Sequence, residues 1–120
     1  MSNYNQLINK AKTFYNSNQF NNAKDCLFEL LEKYKLDTEI KSKVYLLLAD
    51  VLNKINSFKY VEEYLLKYLK INPSDSTALN LIANNFSKVR RYEAAEKYYK
   101  KSIKFDKNNE TAIINLAILL

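Results

Sequence analysis

Glycine and histidine are both absent from these 120 residues, and proline and cysteine occur once each. Each absence removes a class of chemistry. Without glycine there is no glycine-rich phosphate loop of either common type. Strand-rich folds lean on glycine and proline in their turns, so the composition points to helices. Without histidine the commonest general base and metal ligand are missing. A single cysteine forms no internal disulfide and no common zinc pattern. No carboxylate spacing matches a calcium loop. Cys26 falls among apolar neighbours with no base to activate it, which reads as a packed side chain. Paired carboxylates such as Glu62 and Glu63 read as a solvated helix face. The expectation is therefore no enzyme, no cofactor and no metal.

What is present describes a folded domain. Charged residues make up 27% and aromatics 13%, and the formal net charge is +6. Residues 1–120 are expected to form one domain with a core that needs no staples. The opening MSNYNQLINK lacks the basic-then-apolar pattern of a secretory leader. The closing apolar run, AIINLAILL, has nine residues, against ~20 for a membrane span. No membrane span is expected, and the lone thiol suits a reducing compartment; the location is read as cytoplasmic.

The strongest signal is periodic. Ala49, Ala83 and Ala117 recur every 34 residues, preceded by Leu48, Ile82 and Leu116 and followed by Leu52, Phe86 and Leu120. Phe58 matches Tyr92, and Ile71 matches Phe105, at the same step. Ala11, Phe14, Phe20, Ala23 and Leu27 carry the same order, but Ala11 precedes Ala49 by 38 residues. The four extra residues are expected in the inter-repeat turn near Thr38–Lys41. Such a period marks a helix–turn–helix repeat. The units fall at 4–37, 42–75 and 76–109, and a fourth begins at 110–120. In the third, Leu79, Ile82, Ala83 and Phe86 fall on one helical face. The recurring Ala lets paired helices approach closely. Asn18, Asn56 and Arg90 fall in the turn within each unit; Asn tolerates the left-handed backbone there, whereas Arg90 is expected to carry strain. Ser74 or Asp75, and Asn108 or Asn109, suit the N-caps that follow.

These residues closely resemble the tetratricopeptide repeat family. The match comprises Leu48, Ala49, Leu52, Phe58, Val61, Leu65 and Pro73 in the second unit. Ile82, Ala83, Phe86, Tyr92, Ala95 and Tyr99 carry it in the third. Lys10 at position 7 of the first unit and the missing Trp at position 4 depart from the pattern. The resemblance implies an all-α, right-handed superhelical solenoid of helix–turn–helix repeats. First helices would line a concave groove and second helices the convex back. The implied function is a non-catalytic scaffold holding a peptide or partner helix. The alternative is an N-terminal targeting arm of a longer enzyme such as a transferase.

Groove-facing positions then yield the candidate binding residues Lys12, Lys43, Asp50, Asn53, Thr77, Asn80, Asn84, Lys88 and Asn115. An Asn amide can donate to and accept from a peptide backbone at once. Some family members grip acidic chaperone tails with a carboxylate clamp of Lys, Arg and Asn. Its positions here hold Ile8, Lys12, Leu47, Thr77 and Leu81, or in the next register Leu46, Asp50, Leu81, Thr111 and Asn115. No such clamp is expected. Lys67, Lys70, Lys97, Lys100, Lys101 and Lys104 fall late in second helices, away from the groove, which argues against nucleic acid. In the closing run, Ile113, Leu116, Ala117 and Leu120 are expected to pack on the preceding second helix. Ile114, Ile118 and Leu119 would stay uncovered, which points to further repeats beyond 112–120 or to a dimer through it.

Overall fold

The structure, a computed structural model, describes residues 3–120. It contains α1 (Asn3–Asn16), α2 (Phe20–Lys33), α3 (Thr38–Lys54), α4 (Phe58–Ile71), α5 (Ser76–Lys88), α6 (Tyr92–Phe105) and α7 (Glu110–Leu119). There is no strand among the described residues. Successive helices form antiparallel pairs, α1–α2, α3–α4 and α5–α6, stacked along a 48 Å axis.

Every pair turns on the same three-residue connection, and its middle residue has a positive φ: Asn18 at 60°, Asn56 at 59° and Arg90 at 64°. The backbone closes each turn in the same way. The amides of Gln19, Ser57 and Arg91 donate to the carbonyls of Phe14, Leu52 and Phe86 at 2.8, 2.9 and 2.8 Å. Those of Asn18, Asn56 and Arg90 donate to Tyr15, Asn53 and Ser87 at 3.0, 3.1 and 3.0 Å. This is the Schellman C-cap, built without a single glycine. Arg90 occupies a backbone region that disfavours a Cβ. The adjacent Arg91 compensates, its guanidinium 4.6 Å from the Phe86 ring and 2.9 Å from a Glu62 carboxylate oxygen.

Between repeats, each chain segment runs into a side-chain N-cap. Asp37, Asp75 and Asn109 accept from the amides of Ile40, Ala78 and Ala112 at 2.9, 3.1 and 3.1 Å. Capping by Asp37 changes one expectation. Thr38–Lys41 are not an inserted turn; they are the first turn of α3, which has 17 residues against 13 for α5. Four residues are about one α-helical turn, so the insertion lengthens the helix without rotating its apolar face far.

The core follows the repeat. Ala11, Ala49 and Ala83 are buried where paired helices cross, with Ala23, Val61 and Ala95 opposite them. Leu27, Leu30, Leu48, Leu52, Leu65 and Ile82 fill the space between. The closing helix departs from the expected packing. Ala112 is buried, and Leu116 and Leu119 pack on the core, while Ile113, Ala117 and Leu120 are exposed. The physical reason is that positions 4, 8 and 11 of a repeat face its own second helix, and α7 has none within these residues. Positions 3, 7 and 10 face the preceding repeat, and these are the ones covered.

Candidate functional site

One face of the stack is formed by the first helices α1, α3, α5 and α7. Three cavities lie along it and share walls. The largest, about 560 Å³, sits between α1, α3 and α5. Ile8, Leu46, Leu47 and Leu81 supply its apolar walls, and Lys12, Lys43 and Asp50 its charged margin. A small cavity of about 70 Å³ continues from Asp50 and Leu81 to Asn53, Asn84, Asn85 and Lys88. A third, about 250 Å³, takes in Asn84, Ser87, Lys88, Asn115 and Ile118. The shared residues Asp50, Leu81, Asn84 and Lys88 join the three into a track.

Eight of the nine candidate residues line this track or touch residues that do. Lys12, Lys43 and Asp50 border the large cavity; Asn53, Asn84, Lys88 and Asn115 border the smaller ones. Thr77 is exposed and lies on none of the three walls. Asn80 differs most from expectation, being only 6% exposed. Its Oδ1 accepts from Asn115 Nδ2 at 3.4 Å. An amide this deep is drawn into inter-helix bonding and is withdrawn from the groove.

The electrostatics differ along the track. Asp50 accepts from the Tyr15 hydroxyl at 2.5 Å, and that bond, followed by partial burial, pushes the Tyr15 phenol up. Lys43 lies 3.5 Å from Glu39 one turn away. Among the described residues Lys12 has neither a salt-bridge nor a hydrogen-bond partner, so its charge is free to meet a ligand. Lys88 donates to the neutral Asn53 Oδ1 at 3.0 Å and sits 5.7 Å from the Phe58 ring. At the other end the amides bond to one another. Asn84 Oδ1 accepts from both Tyr99 O–H and Asn115 Nδ2, the latter at 3.1 Å. Burial pushes the Tyr99 phenol up, which keeps it a hydrogen donor.

Leu47 and Leu81 were absent from the groove-facing positions read from the sequence, although both line its largest cavity. Their signal was present: they share position 6 of the repeat with Asn115. Ile40 was missed for another reason. It lies on the extra turn of α3, which extends the cavity wall beyond a standard repeat.

On the second helices the lysines lie elsewhere, and most of them have partners. Lys67 approaches the rings of Tyr45 and Tyr64, Lys97 and Lys101 that of Tyr98, and Lys100 pairs with Glu96 at 2.8 Å. Cys26 is buried, and that burial pushes its thiol up, which opposes nucleophilic use. No group of three metal-ligating side chains occurs among the described residues, and no helix is long and apolar enough to cross a membrane.

Comparison with known proteins agrees with this architecture. Residues 76–109 match the sequence model of the tetratricopeptide repeat. A search of curated proteins returns no match. Among solved structures, the chain is similar to the first tetratricopeptide repeat domain of Spaghetti (RPAP3) bound to the HSP90 peptide SRMEEVD. The TM-score is 0.82 at 16% identity, covering 97% of this chain and 89% of that one. The Arabidopsis OM64 domain gives a TM-score of 0.82 at 17% identity, covering 97% and 93%. MamA 41-end from Desulfovibrio magneticus RS-1 gives 0.86 at 16% identity, covering 97% of this chain and 63% of that one.

Proposed function

The chain folds as a tetratricopeptide-repeat solenoid, and from that premise we propose that it is a non-catalytic scaffold that binds a protein segment along the face formed by α1, α3, α5 and α7. The observation that carries this reading is the large cavity: apolar walls of Ile8, Leu46, Leu47 and Leu81 open beside Lys12 and Asp50. A concave apolar site with a few polar groups is the usual form of a binding site. Its volume also lies within the ~300–1,000 Å³ common to such sites. Lys12, Lys43 and Asp50 are the proposed polar contacts of the large cavity, with Asn53, Asn84, Lys88 and Asn115 along the track beyond it and Thr77 further out. A cytoplasmic setting suits the lone reduced thiol of Cys26. The test is capture of partners by the chain and by Leu81→Asp. Leu81 is 40% exposed, so the substitution should leave the fold intact while filling the cavity with charge. Unchanged capture by Leu81→Asp would sink the groove assignment.

The likeness to a domain holding SRMEEVD raises the question of the same peptide here. Of the five clamp positions, Ile8, Leu47 and Leu81 line an apolar cavity and offer a carboxylate nothing, which leaves Lys12 as the one cation of the set. We expect no micromolar heat signal when SRMEEVD is titrated into this chain. The outer side of α7 is a second proposed contact, for a further helix or another copy, since Ile113 and Leu120 are 43% and 79% exposed. Light scattering across a concentration series distinguishes the two.

A further inference from the structure

The large cavity and the amide cluster beyond it present different chemistry, and the difference bears on the shape of the occupant. An extended peptide carries unpaired backbone N–H and C=O groups, and burying them without partners is costly. A groove that takes such a peptide must supply hydrogen bonds along its length. Here the amides best suited to do so lie outside the large cavity, and their oxygens are already engaged. Asn84 and Asn80 accept from Asn115, Asn84 accepts also from Tyr99, and Asn53 accepts from Lys88. The large cavity itself is walled chiefly by Ile8, Leu46, Leu47 and Leu81. An α-helix satisfies its own backbone and asks a groove only for apolar surface. Charge supplies the second constraint. Asp50 accepts from the neutral Tyr15 hydroxyl and Lys43 lies beside Glu39, which leaves Lys12 as the cation at the cavity margin without a partner among the described residues.

We propose that the occupant of the large cavity is an amphipathic α-helix of a partner protein, with apolar residues at i, i+3 or i+4 and i+7 and a carboxylate beside that stripe facing Lys12. This rests on the groove reading above and narrows it to one class of ligand. The pattern matches the general helix-in-groove mode, in which the apolar stripe supplies affinity. A carboxylate paired with Lys12 sets the orientation of the helix and the rate of its encounter.

The test uses the full chain and a displayed library of random 14-residue peptides. Enriched sequences should show apolar residues at helical spacing, no internal proline, and Asp or Glu flanking the stripe. A representative synthetic peptide should gain helical circular dichroism on binding. It should lose about a hundredfold in affinity against Leu81→Asp, a loss typical of a central interface position. Selection on Lys12→Glu should replace Asp or Glu by Lys or Arg, and the original peptide should weaken about tenfold. Circular dichroism of both variants checks that the solenoid is intact. Enriched peptides that are proline-rich or of period two, and that Leu81→Asp abolishes, would overturn the helix while sparing the groove. Peptides whose binding survives Leu81→Asp, or no enrichment at all, would overturn the groove reading and this inference together. An unchanged charge preference on Lys12→Glu would overturn the orientation by Lys12.

Discussion

The two ends of the first-helix face use one repeat geometry for opposite purposes. Around α1 and α3, position 6 is Leu47, the neighbouring groove residues are Ile8 and Leu46, and a cavity of about 560 Å³ stands open. Around α5 and α7 the register brings Asn80, Asn84 and Asn115 together, and their amides close on one another. The apolar end keeps surface available because leucine side chains have no means of saturating each other. The amide end becomes internal structure because donors and acceptors at this spacing find partners within the chain. Even there the pairing is incomplete: Asn85, at 2% exposure, donates to the Phe58 carbonyl at 3.0 Å while its Oδ1 has no partner. The same position in the second repeat is the buried Val51, so the amide side has drawn polarity into a core site.

The contrast predicts that substitutions at the apolar end change binding and those at the amide end change stability. The largest effect is expected for Leu81→Asp, which should weaken a groove peptide by about 2.7 kcal/mol, a hundredfold. Its urea midpoint should move little, because the side chain is half exposed; titration calorimetry and urea melts read the two quantities separately. Next, Asn84→Ala removes the acceptor of both Tyr99 and Asn115 and leaves a buried phenol unsatisfied. Urea denaturation should register a loss of about 1–3 kcal/mol, with peptide affinity within about twofold, as for a position without direct contact. If affinity fell as far as stability, the division between the two ends would fail.

A third prediction concerns the joint between the second and third repeats. There the Tyr68 hydroxyl donates to Asp75 Oδ2 at 2.5 Å. Burial, and then that bond, push the Tyr68 phenol from 10.0 up to about 12. The folded chain therefore holds the proton more tightly than the unfolded chain. The stabilisation is complete below pH 10 and is lost as pH rises through 12. Tyr15, Tyr64 and Tyr99 shift in the same direction. Thermal melts between pH 9 and about 12 should fall more steeply for the wild type than for Tyr68→Phe. The equivalent joint at α7 uses other chemistry. Ser102 stands where Tyr68 does, and Asn109 Nδ2 donates to Ser76 Oγ at 2.8 Å and to Ser102 Oγ at 3.2 Å. With no phenol, it should be insensitive over this range. The smallest effect is reserved for Arg90→Asn, expected to stabilise by about 0.5–1 kcal/mol by relieving the left-handed Arg. A destabilised variant would show instead that the native Arg90 side chain matters more than its backbone strain.

How much of this was legible in the sequence varies by residue. Ala11, Ala49 and Ala83, with their flanking Leu and aromatics, announced the helix pairs, because burial at a crossing admits only a small side chain. Asn18, Asn56 and Arg90 marked the turns through their position alone. The groove was legible as a set of candidates, since Lys12, Asp50, Asn84 and Lys88 do line the track. It was not legible which of them stay available. Asn80 and Asn115 belong to different repeats, 35 residues apart, and only their stacked helices bring them within 3.4 Å. The four-residue insertion was visible as a broken period, but its conformation depended on Asp37 capping Ile40.

By itself, then, the sequence determined a stack of helix pairs, because a fixed period of small and large apolar residues leaves the chain one economical way to bury them. Tertiary structure decided which polar side chains are spent inside and which remain for a partner. Hydrogen bonding between repeats depends on distances and angles across separate helices, and no single stretch of chain encodes those. The closing AIINLAILL shows both: its register predicts a helix, and only its neighbours determine that Ala112, Leu116 and Leu119 are covered while Ile114 and Ile118 are not.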